Sequence, residues 1–475
     1  MPLIKNRVLK ATLWSFLQRA GSLIIGFIAN MVLARLLEPE DFGCIAIILV
    51  FVSFADILID SGLTSALIQK KKVSDNDVST VFSVNLSVSS VLFILIFLTA
   101  PAIGRFVGIP NLAMYLRVES IAVLIRAFYC IQVASLSKNL KFKHLAKYHI
   151  LASFASASIA IVLAALGCGV WSLVAKNLIL QLSLCLLYRH ASKVSYRLGF
   201  FKENFKELFS FGWFVALTTF MDTLYSNLTA FLIGKRYSVK DLGYYNQGKS
   251  LEQLPVYSLS MVINQVLFPF MSKMQDDASR ILNNTRKVIT VTTFFTFPLM
   301  VYLIFFAKPV IILIYSAKWE PSAIFFQILC FGGMVNSLIH ICRNVLKSIG
   351  ETKALFYTQI VITLIAIIGV VVFLRFDIKW LVTWVACCSY FNWLTISFIT
   401  GKKTGYNLFL QLKDVSLNVG FAIIAGFLSH YLTCLVSSNA IVVALVGAAV
   451  FAVVYFLLHF FLKTASYKTV LTLIK

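Results

Sequence analysis

The chain has 475 residues, of which 60% are hydrophobic and only 13% charged, and its mean hydropathy is +0.88. A soluble domain of that composition would aggregate, so the bilayer is its solvent. The formal net charge of +23 would suggest nucleic acid in a soluble protein. Here the basic residues are spread over many short loops, as membrane topology and anionic lipid require, and no nucleic-acid partner is expected.

A spanning helix needs about 20 mostly apolar residues, and runs of that length recur along the chain. They predict an all-α, polytopic bundle of about fourteen helices, at 11–33, 44–68, 79–103, 112–136, 148–168, 170–188, 207–233, 242–270, 287–314, 321–346, 354–374, 380–400, 414–436 and 439–462. Met1 to Lys10 reads as a cytoplasmic lead-in. The first run holds Gln18 and Arg19, lacks a small-residue cleavage site and precedes many more spans, so it is not a cleaved signal peptide. The nine cysteines fall mainly inside apolar runs, where sulfur acts as a small hydrophobe. No disulfide, metal or cofactor is expected.

Alternate gaps differ in charge. Lys70-Lys71-Lys72, Lys138 to Lys147, Arg189 to Lys206, Lys273 to Lys287, Lys402-Lys403, and Lys463 with Lys468 lie on one side. Those gaps and the termini hold roughly 27 Lys and Arg against roughly 9 opposite, which by the positive-inside rule places both ends in the cytoplasm. An even number of spans fits.

The chain also repeats itself. After span 1 it reads Leu33-Ala34-Arg35 and then Asp41-Phe42-Gly43; after span 7 it reads Ile233-Gly234-Lys235 and then Asp241-Leu242-Gly243, an offset of 200. Trp14 and Trp213 lie at nearly that offset, and Leu136/Leu346, Lys143/Lys353 and Leu145/Leu355 match at 210. One six-helix unit therefore occurs twice, in lobes 1–206 and 207–403, with two additional helices and a tail in 404–475. An even number of spans separates the copies, so the symmetry axis runs along the membrane normal, and rocking lobes would expose a cavity to each side in turn.

Polar groups inside the spans are the candidate site. Each charge costs about 2.5–3.5 kcal/mol at a helix centre, so such groups face protein or water. On span 1, Ser15, Arg19, Ser22, Gly26 and Asn30 recur every three or four residues and line one face; span 7 repeats this with Thr218, Asp222, Tyr225, Ser226 and Thr229. Arg19 either lines a cavity or sits in a structural ion pair, and Asp222 is either a proton or cation site or its counter-ion. Asp56 and Asp60 share a face of span 2 and are ion-coupling candidates. Glu119 and Arg126 on span 4 form a buried pair or an anion site. Lys249 with Glu252, and His340 with Arg343, are i, i+3 neighbours that serve a cavity or merely pair locally; Lys176 snorkels. The cavity set is then Arg19, Ser22, Asn30, Arg126, Asp222, Tyr225, Lys249 and Arg343, and the coupling set Asp56, Asp60, Asp222 and Glu252. An excess of fixed positive charge in low dielectric suits a multiply charged anion, because guanidinium binds phosphate oxygens bidentately.

Several motifs carry a family resemblance. The first lobe holds Trp14, Arg19, Leu33-Ala34-Arg35-Leu36-Leu37, Pro39-Glu40-Asp41-Phe42-Gly43, Asp60-Ser61-Gly62-Leu63 and Ala66-Leu67-Ile68-Gln69. The second adds Phe209-Ser210-Phe211-Gly212, Asp241-Leu242-Gly243-Tyr244-Tyr245-Asn246, Leu254-Pro255, Phe268-Pro269 and Lys318-Trp319. In this order the chain resembles Wzx-type polysaccharide exporters of the WzxC-like branch, within the superfamily that includes MATE drug exporters. The resemblance covers nearly the whole chain. It implies a MATE-like, fourteen-helix flippase of the inner membrane that moves undecaprenyl-pyrophosphate-linked repeat units for lipopolysaccharide, capsule or exopolysaccharide assembly. It also implies dealings with a polysaccharide polymerase and a chain-length regulator. Arg19 maps to the basic pyrophosphate contact; Gln247 stands where the family has Arg after Tyr-Asn, which weakens the second-lobe contact unless Lys249 compensates.

Two other readings compete. A MATE-type drug or cation antiporter would share the fold but need a mainly acidic cavity, whereas Arg19, Arg126 and Arg343 point the other way. A membrane polymerase or glycosyltransferase would need a sizeable external loop, a P-loop, a Gly-x-Ser-x-Gly or a His/Cys cluster, and none is present. The chain reads as a non-enzyme.

Overall fold

In hydrocarbon every backbone N–H and C=O must be bonded within its own segment, so long apolar runs can cross only as helices. The computed structural model describes residues 2–60, 62–109, 111–192, 194, 197–272, 278–436 and 439–474, and all regular structure among them is helical. The chain divides into two compact units, Met1–Gly243 and Tyr244–Lys475. Twelve helices among the described residues are long and apolar enough to cross a membrane.

The N-terminal unit contains α1 (Pro2–Leu36), α2 (Pro39–Asp60), α3 (Leu63–Gln69), α4 (Asp75–Val107), α5 (Leu112–Glu119), α6 (Ile121–Lys138), α7 (Phe142–Ala165), α8 (Val170–Ser192), α9 (Lys202–Arg236) and the first residues of α10 (Val239–Ser272). Pro39 opens α2, where its missing N–H costs nothing. Ser74 and Asp77 form a reciprocal capping box on α4, and Gly108 closes that helix at φ 79.

Two pairs of helices start at the same offset as the sequence motifs. α1 and α9 each have 35 residues and start 200 positions apart, as do α2 and α10. Asp41 Oδ2 accepts from the Glu38 N–H at 2.9 Å, and Asp241 Oδ2 accepts from the Ser238 N–H and hydroxyl at 3.3 and 2.6 Å. The matched aspartates therefore bond the backbone at the start of the second helix in each copy. The matched glycines have a packing reason. A Cβ on Gly43 would lie 1.9 Å from the Val239 carbonyl oxygen, and one on Gly243 would lie 2.0 Å from that of Pro39. The starts of α2 and α10 cross backbone to backbone at these two positions, and Lys240 and Glu40 pair beside them at 3.2 Å.

Some spans expected to be continuous are interrupted. The run at 44–68 divides into α2 and α3 around Gly62, which takes φ 71 with the Gly212 backbone against it. No side chain fits there, so α9 approaches α3 through glycine on both sides. The run at 112–136 breaks at Ser120 between α5 and α6. α9 and α10 match the expected seventh and eighth spans in position but are not among those twelve.

The C-terminal unit continues with the rest of α10, then α11 (Ala278–Phe305), α12 (Ala307–Tyr315), a 3₁₀ turn at Ala317–Trp319, α13 (Ser322–Gly333), α14 (Asn336–Ser348), α15 (Thr352–Phe373), α16 (Ile378–Thr404), α17 (Leu408–Val436), α18 (Ala440–Phe461) and α19 (Ala465–Ile474). Phe294, Phe306, Tyr315, Trp319 and Phe326 form its fully buried aromatic core. The two additional helices α17 and α18 join that core. Asn418 donates to Thr293 at 2.9 Å, Tyr455 to the Phe294 carbonyl at 3.0 Å and Tyr302 to the Ala444 carbonyl at 2.7 Å. Gly426 and Gly447 let the rings of Phe305 and Phe306 press onto the helices. In lipid, where apolar association gains little, small residues and interhelical hydrogen bonds are the means of holding helices together.

Candidate functional site

α1 carries the first set of candidates. Arg19 is exposed although it lies inside an apolar span, Leu13–Leu36. Asn30 is half-buried. Ser22 is turned toward α7, where its hydroxyl is hydrogen-bonded to His149 Nδ1 at 2.9 Å, and His149 also meets Ser153 at 3.3 Å. The side chains of Asp60, Asp222 and Tyr225 lie outside the described residues.

The structure brings two other candidates together. Arg126 on α6 donates to Asp56 Oδ2 on α2 at 2.9 Å, with side-chain exposures of 31% and 23%. Of the two readings of Glu119 and Arg126, the buried pair is therefore not formed. The seven-residue spacing puts those two on similar azimuths, but the break at Ser120 separates their helices and the packing of α2 on α6 supplies a nearer acid. Glu119 is instead fully buried, and one of its oxygens accepts from the Asn177 amide on α8.

In the C-terminal unit, the Lys249 ammonium stands 5.7 Å from the centre of the buried Tyr245 ring, and Glu252 is buried against Gly333 at the end of α13. Arg343 on α14 donates to the Gln359 side chain on α15. Below these, α11, α13, α14, α16 and α17 enclose an apolar cavity of about 460 Å³, lined by residues such as Phe297, Phe331, Val335, Trp393 and Val415.

Other polar groups matter that spacing alone did not single out. Tyr129 donates to Gln181, and Asn85 donates to the Cys130 sulfur at 3.1 Å. Their one available signal was an amide or hydroxyl inside an apolar run, the same signal that Asn177 gives. At the loop ends, fully buried Asp77 collects Lys70 at 2.9 Å and Asn204 at 2.7 Å, and Lys70 also reaches Glu207 at 2.8 Å. The hydrogen bond that Lys70 donates to Glu207, with the Asp77 carboxylate beside it, holds the Lys70 ammonium above its ordinary value. Arg286 grips Asp414 bidentately at 2.8 and 2.7 Å, and Tyr406 adds its hydroxyl at 3.0 Å. Burial, with Asp414 beside it, pushes the Tyr406 hydroxyl up.

Comparison with known proteins follows this geometry. The chain is 25% identical over 454 residues to the succinoglycan biosynthesis transport protein ExoT of Rhizobium meliloti, covering 93% of this chain and 90% of that protein. It is 24% identical over 337 residues to the lipopolysaccharide biosynthesis protein WzxC of Escherichia coli, covering 70% and 68%. Among solved structures, the lipid II flippase MurJ in its inward closed conformation superposes with a TM-score of 0.77 at 17% identity, over 95% of this chain and all of that one. An inward-facing MATE multidrug transporter superposes at 0.62 and 13% identity, over 82% and 99%. These likenesses establish a MATE-like transmembrane fold. A family model for polysaccharide biosynthesis proteins matches residues 32–324, well over half of the sequence, and the chain belongs to that family.

Proposed function

We propose that the protein is a lipid-linked oligosaccharide flippase. In this reading it carries undecaprenyl-pyrophosphate-linked sugar units outward across the bacterial inner membrane for polysaccharide assembly, with both termini in the cytoplasm. The six-helix copies 1–206 and 207–403 would alternate access to the substrate, with 404–475 as an addition, and the product would pass to a polymerase and chain-length regulator. The observation that carries it is Arg19, an arginine exposed within an apolar span of the first helix. A guanidinium there is expensive unless water or an anion meets it, and a pyrophosphate offers the oxygens it binds best. Arg126, Lys249, Arg343, Ser22, Asn30, Asp222 and Tyr225 remain candidate substrate contacts, and Asp56, Asp60, Asp222 and Glu252 candidate coupling groups. The apolar cavity suits a hydrocarbon chain by the same logic of like with like. The likeness to a relative named as a succinoglycan biosynthesis transport protein supports a transporter over an enzyme.

The test is reconstitution in liposomes with an undecaprenyl-pyrophosphate oligosaccharide on one side and a cationic dye-efflux assay alongside. Glycolipid movement without dye efflux is expected. Dye efflux without glycolipid movement would overturn the proposal in favour of a drug antiporter.

A further inference from the structure

Glu119 is a buried acid inside a spanning segment of the N-terminal unit that the substrate reading leaves unused. It ends α5 at the break before α6, inside a spanning segment, and is fully inaccessible to solvent. One carboxyl oxygen accepts from Asn177; the other, Oε2, is buried and has no hydrogen-bond partner among the described residues. The arginine that spacing would assign to it is engaged by Asp56 instead. We propose that Glu119 is a proton-binding site, with Asn177 holding its carboxyl in place, and that it carries the ion coupled to transport. The coupling role rests on the flippase reading; the proton site itself does not.

The surroundings favour a proton over a metal cation. Leu112, Leu116, Ala122, Val123 and Val174 are buried on the same helices, and an ionised carboxylate held by one amide in such a medium is far costlier than the neutral acid. A sodium-sized ion needs several oxygen ligands, whereas Asn177 presents its amide N–H and no group of three metal-binding side chains gathers among the described residues. A proton needs only Oε2. The charged and titratable groups on the packed elements include Asp41, Cys44 and Asp56 on α2, Arg105 on α4, Arg126, Tyr129 and Cys130 on α6, Lys176 on α8, and Tyr115 and Arg117 on α5 itself. Arg117 is directed to the Phe97 carbonyl on α4, 3.1 Å away. Asp56 is close enough for its charge to act on Glu119 and is itself partly exposed. In the proposed step a proton leaves water, bonds to Oε2 to give the neutral acid, and returns to water on release; no other bond changes. Interrupted helices at membrane depth are where transporters place such sites.

Infrared difference spectra of the reconstituted protein, without substrate, on stepping from acid to alkaline pH test this directly. Wild type should lose a protonated-carboxyl band reversibly, Glu119→Gln should lack that band, and Asn177→Leu should keep it but titrate at a shifted pH. A band identical in wild type and Glu119→Gln, an unshifted titration in Asn177→Leu, or loss of the band on adding sodium at fixed pH would each overturn the proposal. In vesicles with glycolipid, the acceleration of flipping by an imposed pH gradient should vanish in Glu119→Gln; a gradient response equal to wild type would overturn the coupling role. If wild type flips no glycolipid while the infrared band behaves as expected, the flippase reading fails and the proton site stands.

Discussion

At membrane depth the two units hold different chemistry. The N-terminal unit places an Asp56–Arg126 ion pair, the buried Glu119 and Asn177 and the Tyr129–Gln181 bond among α2, α5, α6 and α8. In the C-terminal unit, the space among α11, α13, α14, α16 and α17 is an apolar cavity of about 460 Å³, with Glu252 buried at the helix break beside Gly333. α1 and α9 still match in length, at 35 residues each. Each unit therefore packs its own set of side chains, handling charge in one and enclosing apolar space in the other. Buried charges are costly in lipid and mark function when they persist.

The largest effect should come from transplanting charge across that difference. Val335→Asp, facing the apolar cavity, buries an unpaired carboxylate and should destabilise by about 3 kcal/mol or more, read as a lowered thermal midpoint in detergent; a midpoint equal to wild type would mean that water fills the cavity. Next comes the opposite experiment in the N-terminal unit. Asp56→Ala removes the ion-pair partner of the partly buried Arg126 and should cost about 1–3 kcal/mol, the low end because both side chains keep some exposure; Asp56→Ala with Arg126→Leu should recover most of it, and no recovery would show that the two do not act as a pair. Gly43→Ala probes what the copies share. Its Cβ would clash with the Val239 backbone, and overpacking of this kind costs about 1–3 kcal/mol. Gly243→Ala should behave alike, and a neutral result for one alone would break the equivalence of the crossing. The smallest effect is expected for Arg286→Lys, which keeps the charge but loses the bidentate grip on Asp414, about 1 kcal/mol.

The helices were legible because hydropathy and the Asp-Gly loop motif act locally. The offset of 200 read from Asp41/Asp241 and Gly43/Gly243 coincides with the offset of the helix starts, and the structure supplies its cause in helix-start hydrogen bonds and a backbone crossing. The breaks at Gly62 and Ser120 were not legible as breaks, since apolar composition continues through them and only the neighbouring helix decides that the chain must turn. Gly62 needs the Gly212 backbone to explain it. Partner choice was likewise hidden. Azimuth paired Glu119 with Arg126, but the packing of α2 against α6 gave Arg126 to Asp56 and left Glu119 to an asparagine on α8. In the candidate site, Arg19 stood out as a charge that an apolar helix would not otherwise carry, whereas Asn177, equally inside an apolar run, is uncharged and drew no attention.

The most direct test of the account compares flipping rates on one lipid carrying the same sugar through either a pyrophosphate or a monophosphate link, for wild type and Arg19→Ala. Wild type should prefer the pyrophosphate lipid, and Arg19→Ala should lose about tenfold or more on it, equivalent to about 1.4 kcal/mol, while losing its preference between the two. Equal rates on both lipids in wild type, or a preference that survives the loss of Arg19, would contradict the assignment of that arginine to the pyrophosphate.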